Sequence, residues 1–582
     1  MSAGDAAEPP TAVYAAIVAA DAPGTVSILL LDGAFAPLGA EMTGAPDDLV
    51  PRIESEHHPR WVWADAAALY GDLLARGIRV ARCHDLRLVG TILRYARDVA
   101  DDRRPPRPAW LKQVPESEPA PTPAALFEVA QFDLDERPGS RPTLAAVVRL
   151  AREQHDAIEA SARSGALRLL AAAESAGALI AAEMRAAGLP WDTAGHEALL
   201  DDVLGTRGPG GEPAKLRAAA DRVREALGDA TLSIDSQPKV LRALHRVGVD
   251  AESTSRWELA RYDHPAVGAL LAYKKLARLQ SANGWAWLDE WVRDGRFRPV
   301  YVPGGVVTGR WASSGGGALQ LPRMLRSVVR ADPGWTFVVA DVAQLEPRVL
   351  AGLARDEALA AAARGRDLYD GVVASGAVAT RQDAKIALLG AIYGATTGES
   401  ARLLPRLRRA YPRAMALVEQ AASDGERGAV VATLLGRTSP PPSDEWSDLQ
   451  RDAALVGASA GLEQTARRRA RDRGRFTRNF VVQGTAAEWA LAWLAELRTR
   501  LALIPPVDDA LAAPRSGPAF AHIPHLALFL HDEIVVHTPV VHAERVAAAV
   551  SAAADAAGRG LFGDFPLDFR LDLRIADTAD KA

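Results

Sequence analysis

Two short apolar runs in this sequence end in carboxylates. Phe337, Val338, Val339 and Ala340 lead into Asp341, and residues 526–530 lead into His531, Asp532 and Glu533 before the chain returns as the apolar run 534–538. The second pattern predicts a β-hairpin whose polar tip lifts a carboxylate above the sheet. Two carboxylates on adjoining strands can hold two Mg²⁺ ions about 3.5–4 Å apart, an arrangement suited to in-line phosphoryl transfer. One ion makes an attacking hydroxyl more acidic, and the other neutralises charge on the leaving phosphate. Taken singly, either Asp reads as a turn residue or helix cap, which is what such an Asp usually is; it is the pair that favours chemistry. The sequence does not place the two strands side by side.

A second constellation lies at residues 380–394. Thr380 is an N-cap residue type, and Arg381, Lys385, Leu389 and Tyr393 recur every four residues, which puts them along one helix face. Two cations near a helix start suit a triphosphate, and a ring two turns on suits a base. The bland alternative is a solvated Arg/Lys face with a Tyr anchored in the core. Lys is scarce here, seven of 68 cations, so a Lys where Arg is the default is informative.

Arginine is unevenly placed. Arg467, Arg468, Arg469, Arg471, Arg473, Arg475 and Arg478 crowd into one stretch with Asp472 as the sole acid, Arg402, Arg406, Arg408, Arg409 and Arg413 form a second cluster, and Arg310, Arg323, Arg326 and Arg330 a looser third. Charge runs are usually solvated faces. Three of them flanking the carboxylates and the cationic helix point to a phosphate-backbone track.

The elements that must position these residues make a long chain. Its 582 residues, with 48% hydrophobic and 24% charged, imply several domains with cores of their own. The net charge of -5 and pI near 6.2 would by themselves argue against a nucleic-acid binder, but local potential rather than the mean governs binding. Cys83 is the only cysteine, which excludes an intramolecular disulfide and fits a reducing, cytoplasmic compartment. No uninterrupted apolar run of about 18 residues occurs and the start lacks a signal peptide, so neither membrane nor export is expected. Residues 12–33 read as a strand hairpin, 65–76 as helix, 101–123 as a Pro-rich linker, and 143–188 as helical. Strands reappear among long helices after Tyr301, giving an α+β multidomain class.

In order along the chain, these segments resemble family A DNA polymerases. Asp341-Val-Ala-Gln-Leu-Glu-Pro-Arg348 is similar to that family's first palm motif, Arg381-xxx-Lys385-xxxxxxx-Tyr393-Gly394 to its fingers helix, and His531-Asp532-Glu533 to its second palm motif. Thr308-Gly309-Arg310, Leu319-Gln320, Thr433-Leu-Leu-Gly436-Arg437, the stretch from Arg475 through Asn479 and Gln483 to Ala487, and residues 273–281 add to the match, which covers roughly 170–582. The resemblance implies a right hand of thumb, palm and fingers: thumb with the palm's start at 166–300, palm at 301–350 and 475–582, fingers at 351–474. It implies an N-terminal RNase H-like α/β domain at 1–112, joined through a linker and helix at 113–165.

The same resemblance implies template-directed DNA synthesis in repair or replication by a monomer, with primer–template DNA and deoxynucleoside triphosphates as partners. Asp341 and Asp532 would hold two Mg²⁺ with the Val342 carbonyl, and Glu533 is a further acid of the tip. Arg381 and Lys385 would grip the triphosphate, Lys385 also serving the departing pyrophosphate. Tyr393 would sit at the insertion site with Gln344 and Leu389 beside the nucleotide, and Glu346 would close off the sugar's 2′ position. Arg310, Arg437, Arg475, Asn479, Gln483 and His531 would contact DNA.

The chain departs from the pattern at Val342, Ala343 and Pro347, and above all at Leu389, where the family carries Phe or Tyr. Residues 1–120 contain no Asp-x-Glu, and Tyr95 is followed by Asp98 rather than an acid four residues on, so a proofreading exonuclease site is expected to be lost. A 5′-nuclease module is not expected in a chain of this length. Two alternatives stand: a nucleotidyltransferase with another sugar or template preference, against which Glu346 argues, and an inactive primer–template-binding protein.

Overall fold

A computed structural model describes residues 12–111, 141–208, 211–394, 398–530 and 532–580. His531 and most of the expected linker, 112–140, lie outside the described residues.

The chain forms two compact units, the first comprising Met1–Gly188, Pro299–Gln320 and Ala331–Asp577, the second Leu189–Arg298, Leu321–Arg330 and Thr578–Ala582. The first unit opens with a five-stranded sheet of β1 (Tyr14–Ala19), β2 (Val26–Leu31), β3 (Met42–Gly44), β4 (Arg60–Trp63) and β5 (Arg82–Asp85) in the order β3-β2-β1-β4-β5. β1 pairs antiparallel with β2 and parallel with β4, and β4 pairs parallel with β5. The expected 12–33 hairpin is β1–β2, and the sheet is mixed parallel and antiparallel. Its core is aromatic and aliphatic, with Trp61, Trp63 and Tyr70 almost fully buried.

Helix α1 (Ser164–Ala187) is long and apolar enough to cross a membrane by length and composition, although Arg and Glu interrupt its Ala-rich run. Its apolar residues instead fill the unit's interior: Leu170, Leu179, Ile180 and Met184 are buried, and the helix packs on β5 and the helix Ala66–Ala75. Its two glutamates are buried with partners. Glu183 accepts from both Arg498 and Tyr70, at 2.8 Å and 2.7 Å on one oxygen, and Arg498 also donates to the Val80 and Ala81 carbonyls. That cluster fastens the N-terminal sheet to the long helix carrying Arg498.

A second sheet positions the chemistry. It comprises β6 (Trp335–Val342), β7 (His525–Leu530), β8 (Glu533–Pro539) and β9 (Leu571–Ala576) in the order β7-β8-β6-β9, every neighbour antiparallel. β6 is buried from Trp335 to Ala340, as a central strand reading WTFVVA should be. α2 (Leu345–Ala354), α3 (Arg381–Tyr393) and α4 (Asp444–Ala453) lie against the 42-residue α5 (Ala460–Leu501), and α5 and α6 (Ala543–Phe562) pack on the sheet.

The second unit is mainly helical, with Thr193–Leu204, Ala214–Ala226, Gln237–Arg246 and Pro265–Asn283. A three-stranded sheet of Leu189–Pro190, Arg296–Phe297 and Val292–Arg293 completes it, beside a packed group of Trp191, Trp287, Phe297 and His196. The match at 273–281 falls within Pro265–Asn283.

Candidate active site

The register of the second sheet brings the two carboxylate motifs together. β7 and β8 are joined through a two-residue tip, 531–532, and β8 lies directly against β6. Asp341 is opposite Glu533 on one side and Asp572 on the other, and the Val342 N–H donates to the Asp532 carbonyl at 3.0 Å. Directly opposed residues in an antiparallel pair share a face, so Asp341 stands beside Glu533, and like charges so placed cost stability. A cation at the strand ends would offset that cost. Asp341 and Asp532 are half-buried and Glu533 is buried.

Among the described residues no three His, Cys, Asp or Glu side chains converge as a ready cage. What the strand ends offer is two carboxylates and a backbone carbonyl. That all-oxygen donor set fits Mg²⁺, which is commonly bound by one or two carboxylates while substrate phosphates and water fill the rest of its shell.

The loop from β6 into α2 is tightly held. Gln344 adopts a left-handed backbone (φ 51°) at the start of α2, and its side chain accepts from Leu368 N–H and donates to Asp367. Arg348 is fully buried, with its guanidinium donating to the carbonyls of Ala343, Ala363, Arg366 and Asp568 and to the Asp568 carboxylate. Two residues before Arg348, Glu346 receives two donors: Arg310, and the Tyr393 hydroxyl at 2.5 Å. Burial, then the Glu346 charge, push Tyr393 far above the ordinary phenol range, so it remains a neutral donor.

Helix α3 begins as its sequence predicts, with the Thr380 hydroxyl accepting from Asp383 N–H, and ends at left-handed Gly394. Arg381 and Lys385 are exposed, and Leu389 and Tyr393 are half-buried. Arg381 is not idle: it donates to Asp367 at 2.8 Å and lies over the Tyr369 ring. Burial raises the Asp367 carboxyl, but Arg381 and the Asp370 N–H outweigh it and hold the group below its usual range. Lys385 makes no ion pair among the described residues.

Three turns of chain meet on α5. Gly484 sits so close to Thr433 and the Thr308 carbonyl that a Cβ there would stand 2.5 Å from the Thr433 methyl. Thr485 accepts from Leu434 N–H, and Glu488 accepts from Leu435 N–H and from the Thr433 hydroxyl. Arg437, at the end of that turn, is buried and paired with Glu174 of α1, directly beneath Gly309 (φ 86°) and thus beneath Arg310. Asn479 and Gln483 are each only 1% exposed, and Asn479 Nδ2 and Oδ1 and Gln483 Nε2 have no hydrogen-bond partner. Buried polar atoms of this kind call for a partner from outside the chain, a water or a ligand. Arg475 packs against Gly394 and pairs with Asp472.

The structure therefore gathers Asp341, Val342, Asp532, Glu533, Gln344, Glu346, Tyr393 and Arg310 around one end of the central strands and the neighbouring helices, while Arg437 is buried behind Arg310. Sequence reading missed Asp367, Glu174 and Glu488, and gave Arg348 no role beyond its place in the motif. Asp367 had a faint signal as the N-cap of the helix Leu368–Ala374, where its side chain accepts from Asp370 N–H. Glu174 lies in an Ala-rich helix with nothing local to mark it.

The chain is similar to known proteins. The model of DNA polymerase family A matches residues 243–571, more than half of the chain. The thermostable DNA polymerase I of Thermus thermophilus is 29% identical over 334 residues, 52% of this chain and 35% of that protein. DNA polymerase I of Aquifex aeolicus is 26% identical over 330 residues, 54% of this chain and 52% of that protein. The matched stretch thus spans about a third of the Thermus protein. Among solved structures, the POL domain of Pol1 from M. smegmatis, in complex with DNA primer-template and dNTP, superposes with a TM-score of 0.66 at 17% identity, covering 97% of this chain and 95% of that one. The chain belongs to DNA polymerase family A.

Proposed function

We propose that the chain is a DNA-directed DNA polymerase, extending a primer from deoxynucleoside triphosphates. The observation that carries the reading is the sheet register at Asp341 and Asp532, with Glu346 bridging Arg310 and Tyr393 alongside. Asp341, Asp532 and the Val342 carbonyl would hold two Mg²⁺, and bound there the ions supply charge neutralisation for the attacking 3′-hydroxyl and the leaving phosphate. Glu533 stands behind them as a further acid.

The chain's own residues do the rest. Arg381 and Lys385, projecting from the first two turns of α3, grip the triphosphate, helped by the positive end of the helix dipole. The primer's 3′-hydroxyl gives up its proton to solvent, and its oxygen bonds to the α-phosphorus as the bond from that phosphorus to the bridging β-phosphate oxygen breaks. Lys385 donates a proton to the departing pyrophosphate. Glu346, fixed by Arg310 and Tyr393, closes the space beside the sugar's 2′ carbon, so a ribose hydroxyl meets a carboxylate already committed to two donors. Gln344 and Leu389 flank the nucleotide. Arg310, Asn479 and Gln483 face the minor-groove edge of the nascent pair, and Arg475 steadies the template side. His531 is included on the motif alone.

The proposed enzyme does not proofread. β1 reads YAAIVA, so the first strand of the N-terminal sheet carries no acid at all. The domain then serves as scaffold through Glu183 and Arg498. Primer extension with labelled deoxynucleotides and Mg²⁺ tests the main reading, with Asp532→Ala as control. No extension by the native protein defeats it, and extension favouring ribonucleotides would move the reading to the alternative transferase. Metal-dependent shortening of a 3′-mismatched primer, without nucleotides, would overturn the claim about proofreading.

A further inference from the structure

The first third of α5 does not belong to the site described above. Before Gly474, where the helix packs on Glu426 and Ala422, α5 extends as an arm braced by α4: Gln450 donates to the Ala466 carbonyl at 2.9 Å, Trp446 to the Arg469 carbonyl at 3.3 Å, and Arg473 lies over the Trp446 ring. Ala466, Arg469 and Arg473 therefore mark the face turned to α4. On an α-helix, Arg468, Arg471 and Arg475 recur at three- and four-residue spacing on the opposite face.

Arg468 and Arg471 are exposed, and neither meets an acid among the described residues. Three acids of α4 and α5 are paired elsewhere: Glu463 with Arg467 at 3.0 Å, Asp472 with Arg475, and Asp448 with Arg451 at 2.9 Å. At its inner end the stripe meets α3, because Arg475 packs against Gly394, the residue after Tyr393. A rigid line of guanidinium groups thus leaves the insertion site and runs outward for about 10 Å from Arg475 to Arg468, at about 1.5 Å per residue.

We propose that Arg468 and Arg471 form a track for the phosphate backbone of the unpaired template strand ahead of the insertion site. The inference rests on the polymerase reading for its direction, since the strand reaching Gly394 is the template. The occupant is argued from charge and spacing: Arg forks match phosphate oxygens, successive stripe residues stand about 4.5–6 Å apart, and a single strand can follow a straight helix without being bent as a duplex would.

The test is the double variant Arg468→Gln/Arg471→Gln, with Arg451→Gln on α4 as control. Binding is measured by fluorescence anisotropy over a salt series, and extension on templates whose overhang is either one nucleotide or long. The track predicts that the double variant raises the KM for long-overhang DNA about tenfold and leaves the one-nucleotide template unchanged. It also predicts a salt slope of log K lower by about 1.4, two single-strand contacts at about 0.7 each. The control and native proteins should match. An unchanged slope, or equal losses on both templates, overturns the track. If the native chain binds the long overhang with the steeper slope but extends nothing, the polymerase reading fails and the track stands.

Discussion

Arg437 and Glu174 form a buried ion pair, with side chains 6% and 1% exposed, and the Arg437 guanidinium lies against Gly309. The pair joins α1 to the turn that carries Arg310, and through Arg310 to Glu346 and Tyr393. Burial pushes the Glu174 carboxyl upward, and Arg437 and Arg87 only partly offset it, so desolvation is the larger effect. Arg437 is expected from its motif to touch DNA; we propose that a residue held this way acts by positioning Arg310.

Removing one partner leaves a buried charge alone. Arg437→Gln is expected to cost about 3–5 kcal/mol in unfolding free energy, whereas Glu174→Leu with Arg437→Met costs much less. Both variants should lower kcat while leaving the salt dependence of DNA binding unchanged. A reduced salt slope in the folded double variant would make Arg437 a phosphate contact after all.

Leu389 is half-buried on the α3 face between Lys385 and Tyr393, where an aromatic ring would offer the incoming sugar a larger flat surface. Leu389→Phe is expected to change the ratio of dideoxy- to deoxynucleotide incorporation several-fold, in single-nucleotide extension assays. Identical ratios in the two proteins would refute a role for this side chain in sugar choice.

Asp367 competes for Arg381. It binds the guanidinium and the Gln344 amide while capping the next helix. Substituting Asn keeps a capping oxygen and removes the charge, so Asp367→Asn should lower the KM for nucleotide a few-fold and cost less than about 1 kcal/mol in stability. An increase in KM would mean that Asp367 orients Arg381 productively.

Glu488 sets a pH dependence. Burial pushes its carboxyl to about 7 from the ordinary 4.5, against the opposing effect of the Thr433 hydroxyl and Leu435 N–H. A raised folded-state pKa contributes stability that is complete below about 4.5 and is lost as pH rises through about 7. The loss is at most about 3 kcal/mol. Asp85, also pushed to about 7 by burial and by Asp65, acts in the same direction. The telling quantity is therefore the difference between native protein and Glu488→Gln: the variant's melting temperature should fall less between pH 5 and pH 8. Parallel curves would show that Glu488 stays ionised throughout.

Much of the site could be read along the chain because the chemistry is carried by local patterns. An apolar run ending in Asp341, a polar tip between two strands at Asp532, and a four-residue recurrence from Arg381 to Tyr393 follow from strand and helix periodicity. The Thr380 cap and the strands 335–342 and 525–539 appear where those patterns place them.

Tertiary structure decided what those residues meet. The pairing of β6 with β8 puts Asp341 beside Asp532 across 190 intervening residues, and no local preference encodes that register. Long-range packing likewise gives Arg437 to Glu174 rather than to solvent, Arg381 to Asp367, and the Thr433 turn to Glu488. The physical reason is that a residue type and its spacing fix which face of an element a side chain occupies, whereas burial and charge pairing depend on which element arrives opposite. Only the folded chain, by closing its hydrophobic interior around Glu174 and leaving Arg468 in water, separates an arginine that supports the site from one free to meet a phosphate.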